Sequence, residues 1–193
     1  MRIGIMGGTF NPIHYGHLVS ASEVCNKFKL DKVIFIPSAL NPLKNASNLA
    51  DAPHRLKMIK LAVADNPWFE ASNIEIKKGG ASYTINTIKA LMKKYGKDTN
   101  IYFIIGADAF LEINRWASPD ELLRMCKFIV TTRPGYDMER AKQVFKNHTE
   151  IMEITSLKIS SFDIRERIKS GAPIKYLLPE SVEDYICKHR LYG

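Results

Sequence analysis

An α/β fold with a doubly wound parallel sheet and helices on both faces is the class that this sequence predicts, and three observations carry the prediction. Short apolar runs rich in β-branched and aromatic residues recur at Arg2–Met6, Lys32–Pro37, Asn100–Ile105 and Lys127–Thr132, the pattern of strands buried on both faces. Longer stretches with helical periodicity lie between them, and that alternation calls for a parallel sheet with right-handed crossovers. The first run ends in a glycine pair, Gly7-Gly8, and gives way to helical-looking sequence from His14 onward. A glycine turn between strand and helix lets backbone N–H groups approach a phosphate, with the positive helix end behind them.

Each element follows from its own residues. Leu56, Ile59 and Val63 can line one helix face, and Ile85, Ile88, Leu91 and Met92 another. Gly96 follows Lys93–Tyr95 as a C-terminal stop would. Ser118-Pro119-Asp120-Glu121 combines an N-cap, a proline at the first helical position and a capping-box acid. Glu70–Lys78 and Glu150–Ile154 read as further strands, and Pro179–Leu191 as a helix with Val182, Ile186 and Tyr185 turned inward. Gly7–Gly8, Pro37–Lys44, Gly106–Asp108 and Thr131–Arg133 all follow predicted strands. In a parallel sheet such segments share one edge, so they are expected to converge on one cleft.

The chain of 193 residues suits a single domain, 1–193, with a small C-terminal helical part from about residue 156. A hydrophobic content of 46% fits a folded protein rather than a disordered one. The net charge of +8 could attract nucleic acid, a membrane surface or a polyanionic metabolite, but the lysines are spread and form no polybasic tail. Cys25, Cys126 and Cys187 are far apart with no CxxC, and Met1 leads straight into the first apolar run. Reduced thiols and a cytoplasmic location are therefore expected. No apolar stretch approaches the ~18 residues of a membrane span, so no membrane partner is expected.

Two motifs bracket the chain: GGTFNPIHYGH at Gly7–His17 and ISSFDIR at Ile159–Arg165. No GxxxxGK[ST] is present, and no GxGxxG follows the first strand, which argues against a P-loop and against a dinucleotide oxidoreductase. His14 and His17 are three apart and can share one face of a helical turn. Gly16 removes a side chain where a ligand could press against the backbone. A histidine pair also suggests a metal, but zinc would need further ligands that the cysteines offer no local spacing to supply. Ser160 and Ser161 stand before a helix and Arg165 in its early turns. Ser160 to Asp163 also matches a capping box, which is compatible with phosphate binding at the same helix start. Together the motifs point to a nucleotide-binding enzyme.

GGTFNPIHYGHL resembles the (T/S)xxxxHxGH region of the nucleotidyltransferase superfamily, and ISSFDIRERI its ISSTxIR region. GGASYTINT, IGADAFLEINRW and YLLPESVEDYI are similar to segments of the bacterial nicotinate-nucleotide adenylyltransferases in particular. The resemblance covers nearly the whole chain in order. It implies a Rossmann-like fold of nucleotidyltransferase type and condensation of ATP with nicotinate mononucleotide to deamido-NAD and pyrophosphate, in NAD biosynthesis. It further implies ATP contacts from Gly7, Gly8, Thr9, Phe10, His14, His17, Gly106, Asp108, Ser160, Ser161 and Arg165, with His14, His17 and Arg165 the catalytic set. The mononucleotide side draws on Lys44, Ser82, Tyr83, Thr84, Asp108, Trp116 and Arg133. Mg2+ would be held mainly by ATP phosphates and water, without a carboxylate cage, and many relatives are dimers. Trp116 could equally be core, Asp108 a helix cap, and Lys44 merely solvated.

Two motifs depart from the family pattern: Asn41-Pro42-Leu43-Lys44 replaces PPHK, and Phe162 stands at the threonine of ISSTxIR. Adenylyltransferases for nicotinamide mononucleotide or phosphopantetheine share the ATP motifs, so the acceptor separates these readings. A non-catalytic nucleic-acid-binding module, suggested only by the charge, would show strongly salt-dependent affinity; no nucleic-acid partner is expected.

Overall fold

The computed structural model describes residues 1–40, 49–96, 98–132 and 149–193. Among these residues six strands form one sheet: β1 (Arg2–Gly8), β2 (Lys32–Pro37), β3 (Phe69–Ala71), β4 (Asn100–Gly106), β5 (Lys127–Thr132) and β6 (Thr149–Glu153). Their order is β3-β2-β1-β4-β5-β6 and every pair is parallel. The direction of winding therefore reverses between β1 and β4, and the strand ends beside that point form the crevice where open sheets of this order hold ligands.

Eight helices accompany the sheet among the described residues: α1 (Tyr15–Lys27), α2 (Ala52–Ala62), α3 (Ile74–Lys78), α4 (Thr84–Tyr95), α5 (Ala107–Phe110), α6 (Pro119–Met125), α7 (Ser161–Lys169) and α8 (Glu180–Lys188), with a 3₁₀ turn at Ile113–Arg115. Two apolar clusters sort them onto opposite faces. Met6, Val33, Phe35 and Ile104 pack with Ala21, Ile59, Ile164 and Val182 from α1, α2, α7 and α8. Ile5, Ile34, Ile36 and Phe103 pack with Ile88, Phe110 and Leu122 from α4, α5 and α6. Alternate strand residues feed alternate clusters, as a period of two requires. Val182 and Ile186 are buried and Tyr185 partly so, the inward face expected of the last helix.

The structure corrects three local expectations. Glu70–Lys78 is not one strand: β3 stops at Ala71 and Ile74–Lys78 is a helical turn. The alternation of Ile74 and Ile76 is overridden where the Lys77 N–H reaches the Asn73 carbonyl at 2.8 Å, and Gly79 at φ +70° closes the turn. Ser118 precedes α6, but in left-handed conformation (φ +53°) and without a side-chain capping bond. The proline that follows keeps a residue out of the right-handed helical region. The buried face of α2 is Arg55, Met58, Ile59 and Ala62, so Leu56 is only partly covered.

The predicted stop after α4 agrees. Gly96 takes φ +89° after α4, the left-handed stop that favours glycine. Burial pushes the Cys126 thiol up to about 12, which leaves it protonated and inert at neutral pH. Among the described residues no helix is long and apolar enough to cross a membrane.

Gly4 is required for packing. A Cβ there would lie 2.8 Å from Leu30 Cδ1 and 3.1 Å from both Ile104 Cδ1 and Val33 Cγ2. Gly4→Ala is expected to lower stability by about 1–3 kcal/mol, the usual range for overpacking. Urea unfolding checks it, and an unchanged midpoint would mean that the three side chains move aside freely.

Candidate active site

The site begins where β1 runs out. Beyond Gly8 the chain turns through Phe10 at φ +49°, and its ring is buried against Phe35 (centroids 6.0 Å apart) and the edge of His17 (5.0 Å). At this position it is the backbone, not the ring, that is left to meet a ligand. His14 is the N-cap residue of α1 and is buried, and its ring lies 3.8 Å from that of His17, tilted by 31°. The His14 N–H donates to His17 Nδ1 at 3.3 Å. That bond makes Nδ1 the acceptor, so a neutral His17 carries its proton on Nε2 and is a donor there. Gly16 has a different role from the one its spacing suggested. A Cβ at Gly16 would sit 3.0 Å from the His14 ring, so the vacant volume is used by the imidazole rather than by an incoming ligand.

The second motif is brought directly onto this loop. The Ser161 hydroxyl donates to the Pro12 carbonyl at 2.8 Å, and Arg165 Nη1 donates to Asn11 O at 2.8 Å and Ser161 O at 2.9 Å. Ser160 caps α7: its Oγ accepts from the Asp163 N–H at 3.0 Å and donates to Asp163 Oδ2 at 2.7 Å. Residues more than 140 positions apart thus share one surface, with the N-terminal end of α7 beside that of α1. Phe162 is 61% exposed, and the Arg165 guanidinium lies 5.8 Å from the centre of its ring.

A cavity of about 220 Å³ opens on the other side of Gly7 and Gly8, lined also by Ser38, Ser82, Tyr83, Thr84 and Trp116. Trp116 meets Phe103 edge-on at 5.8 Å, so one part of the ring is packed while another faces the cavity. Ser82 Oγ accepts from the Ala39 N–H at 2.9 Å, and Ser82 N–H donates to Leu40 O at 2.8 Å, which joins the loop after β2 to the start of α4. Glu75 and Arg115 also line the cavity, and Glu75 accepts from the Thr87 hydroxyl at 2.7 Å. Sequence reasoning missed both. Glu75 lay in a segment read as strand, whereas Arg115 adjoins Trp116 and could have been read with it.

Gly106 and Asp108 lie at the C-terminal end of β4 but outside the cavity wall. Asp108 is exposed in the first turn of α5, whose N-cap is Gly106, and makes no capping bond. Lys44, with Leu43, and Arg133 fall outside the described residues. Among the described residues no group of three or more His, Cys, Asp or Glu side chains could hold a metal ion.

Residues 5–167 match the cytidylyltransferase-like family. A "Probable nicotinate-nucleotide adenylyltransferase" of Thermoanaerobacter sp. (strain X514) is 53% identical, over 100% of this chain and 94% of its own length. Proteins with the same description from Moorella thermoacetica and Mycobacterium bovis are 48% and 41% identical, over 99% and 98% of this chain and 91% of each of theirs. Among solved structures, the Plasmodium falciparum nicotinic acid mononucleotide adenylyltransferase complexed with NaAD superposes with a TM-score of 0.83 at 22% identity, over 99% of this chain and 97% of its own.

The double hydrogen bonding of Ser160 makes it a helix cap whatever else it binds. Ser160→Ala is expected to cost about 0.5–2 kcal/mol, whereas Ser160→Gly loses only a few tenths. Equal losses in chemical unfolding would remove the capping role.

Proposed function

The chain belongs to the cytidylyltransferase-like family and, within it, to the nicotinate-nucleotide adenylyltransferases, and on that premise we propose that it joins ATP to nicotinate mononucleotide, giving deamido-NAD and pyrophosphate. The reaction serves NAD biosynthesis. The observation that best supports this reading is the joining of the two motifs by the Ser161–Pro12 and Arg165–Asn11 hydrogen bonds, beside a cavity that shares Gly7 and Gly8 with them. One surface then offers phosphate donors and the other a pocket of nucleotide size.

In the proposed transfer the mononucleotide phosphate attacks the α-phosphorus of ATP in line and pyrophosphate leaves, with no covalent enzyme intermediate. Such chemistry depends on positioning and on neutralising charge. His17 donates from Nε2, in keeping with its Nδ1 acting as acceptor, and His14 beside it contributes to the same phosphate oxygens. Arg165 spends Nη1 on two backbone carbonyls, so its other amino group is the one assigned to phosphate. Thr9, the Phe10 backbone, Ser160 and Ser161 complete the ATP side, with Gly106 and Asp108 at its margin. Trp116 stacks on the pyridine ring, and Ser82, Tyr83 and Thr84 at the start of α4 hold the mononucleotide, with Lys44 and Arg133 as further contacts.

This donor set is cationic and neutral apart from the single carboxylate of Asp108 at its margin, and the nearby Asp163 is already engaged by Ser160. It fits a magnesium ion carried by the phosphates and water, not one seated in a protein cage. The chemistry such an ion would supply is to offset phosphate charge.

Pyrophosphate release from ATP and magnesium with nicotinate mononucleotide, nicotinamide mononucleotide and phosphopantetheine in parallel tests the proposal. Release with nicotinate mononucleotide alone is expected, and preference for another acceptor would overturn the pocket assignment. His17→Ala is expected to lower kcat by about 10²–10³, the cost of one transition-state donor. Arg165→Lys keeps the charge and should still lower turnover, because one ammonium cannot serve the carbonyls and a phosphate as the guanidinium fork does. Near wild-type turnover in both variants would sink these roles.

A further inference from the structure

Arg55, on α2, is 1% exposed, yet among the described residues no carboxylate lies within ion-pair distance of it. All three of its nitrogens donate to backbone carbonyls: Nε to Ala50 O at 2.8 Å, Nη1 to Thr9 O at 2.8 Å and Nη2 to Ala39 O at 3.3 Å. Burial pulls the guanidinium below its ordinary value, opposed by Tyr192 and Asp51, but arginine stays charged at any working pH. Burying an arginine without a counter-ion is costly, and the three carbonyls it collects are not a random set. Thr9 is in the phosphate loop after β1, Ala39 is in the loop after β2 beside Ser82, and Ala50 leads into α2.

The Thr9 bond has a directional consequence. The Thr9–Phe10 peptide is not among the cis bonds, and in a planar trans peptide the C=O and N–H point in opposite directions. A Thr9 carbonyl drawn toward the buried Arg55 therefore turns the Phe10 N–H the other way, out of the interior. The Ala39 bond fixes the neighbouring loop to the same fork, and the Ala50 N–H adds a bond to Asn11 Oδ1 at 3.0 Å.

We infer that Arg55 is a positioning residue for adenylyl transfer: its fork sets the Thr9–Phe10 peptide so that the Phe10 N–H faces the ATP phosphates, and locks that loop in register with the mononucleotide-side loop at Ala39. The inference rests on the adenylyl-transfer reading. It also explains why a charged residue occupies the core face of α2 where a leucine or methionine would pack at lower cost.

Arg55→Lys and Arg55→Met are compared with wild type in pyrophosphate release at saturating ATP and nicotinate mononucleotide, with thermal midpoints measured alongside. Positioning predicts kcat at least about tenfold lower in both, since small misplacements are costly in such transfers, with thermal midpoints still above the assay temperature. Wild-type kcat in Arg55→Lys overturns the inference, whether Arg55→Met is impaired, which would leave charge alone as the role, or not. An inactive wild type would count against the adenylyl-transfer reading instead. Should both variants unfold, amide exchange in the wild-type protein decides. A non-hydrolysable ATP analogue with magnesium is expected to slow exchange at the Phe10 amide, and unchanged exchange there overturns the inference.

Discussion

Strand β1 is paired on both edges, with β2 from Ile3 to Gly8 and with β4 from Arg2 to Ile5. The longer pairing carries Gly7 and Gly8 to the register of Ile36 and Pro37, while β4 departs earlier and leaves those glycines open on its side. A crevice results at the place where the winding reverses. The loop after β1, the loop after β2 and the start of α4 all lie beside that unequal pairing. So does the cavity they line.

Around this point the backbone is held by side chains rather than by further sheet. Thr9, Asn11 and Pro12 each give their carbonyl to an internal donor: Arg55, Arg165 and Ser161 respectively. Satisfying carbonyls from the inside is what a loop must do if it is to meet an anion, because lone pairs facing a phosphate would repel it. The two arginines thus supply both geometry and positive potential. The net charge of +8 takes on a local meaning here that composition alone did not carry.

Much of the fold was legible because four of the strands are short apolar runs rich in β-branched and aromatic residues. Val33, Ile34, Phe35 and Ile36 form an unbroken apolar run, and all four are buried, as only a strand covered on both faces allows. Glu70–Lys78 misled because Ile74 and Ile76 alternate over a segment too short to separate one helical turn from a strand. Arg55 was passed over because an arginine on a helix is nearly always solvated. Nothing adjacent in sequence marks it as buried, and its partners lie up to 46 positions away.

The sequence by itself determined the class of fold, the two motifs that bracket the chain and the residues that compose them, since periodicity, glycine turns and capping spacings act over a few neighbouring positions. Tertiary structure alone decided what those residues do to one another. It made the gap at Gly16 a seat for the His14 ring, fixed the proton of a neutral His17 on Nε2, and set Arg165 and Arg55 against loop carbonyls. Such bonds depend on distances of about 3 Å between groups far apart in the chain, and hydrogen bonding is sensitive to that distance in a way no local pattern encodes.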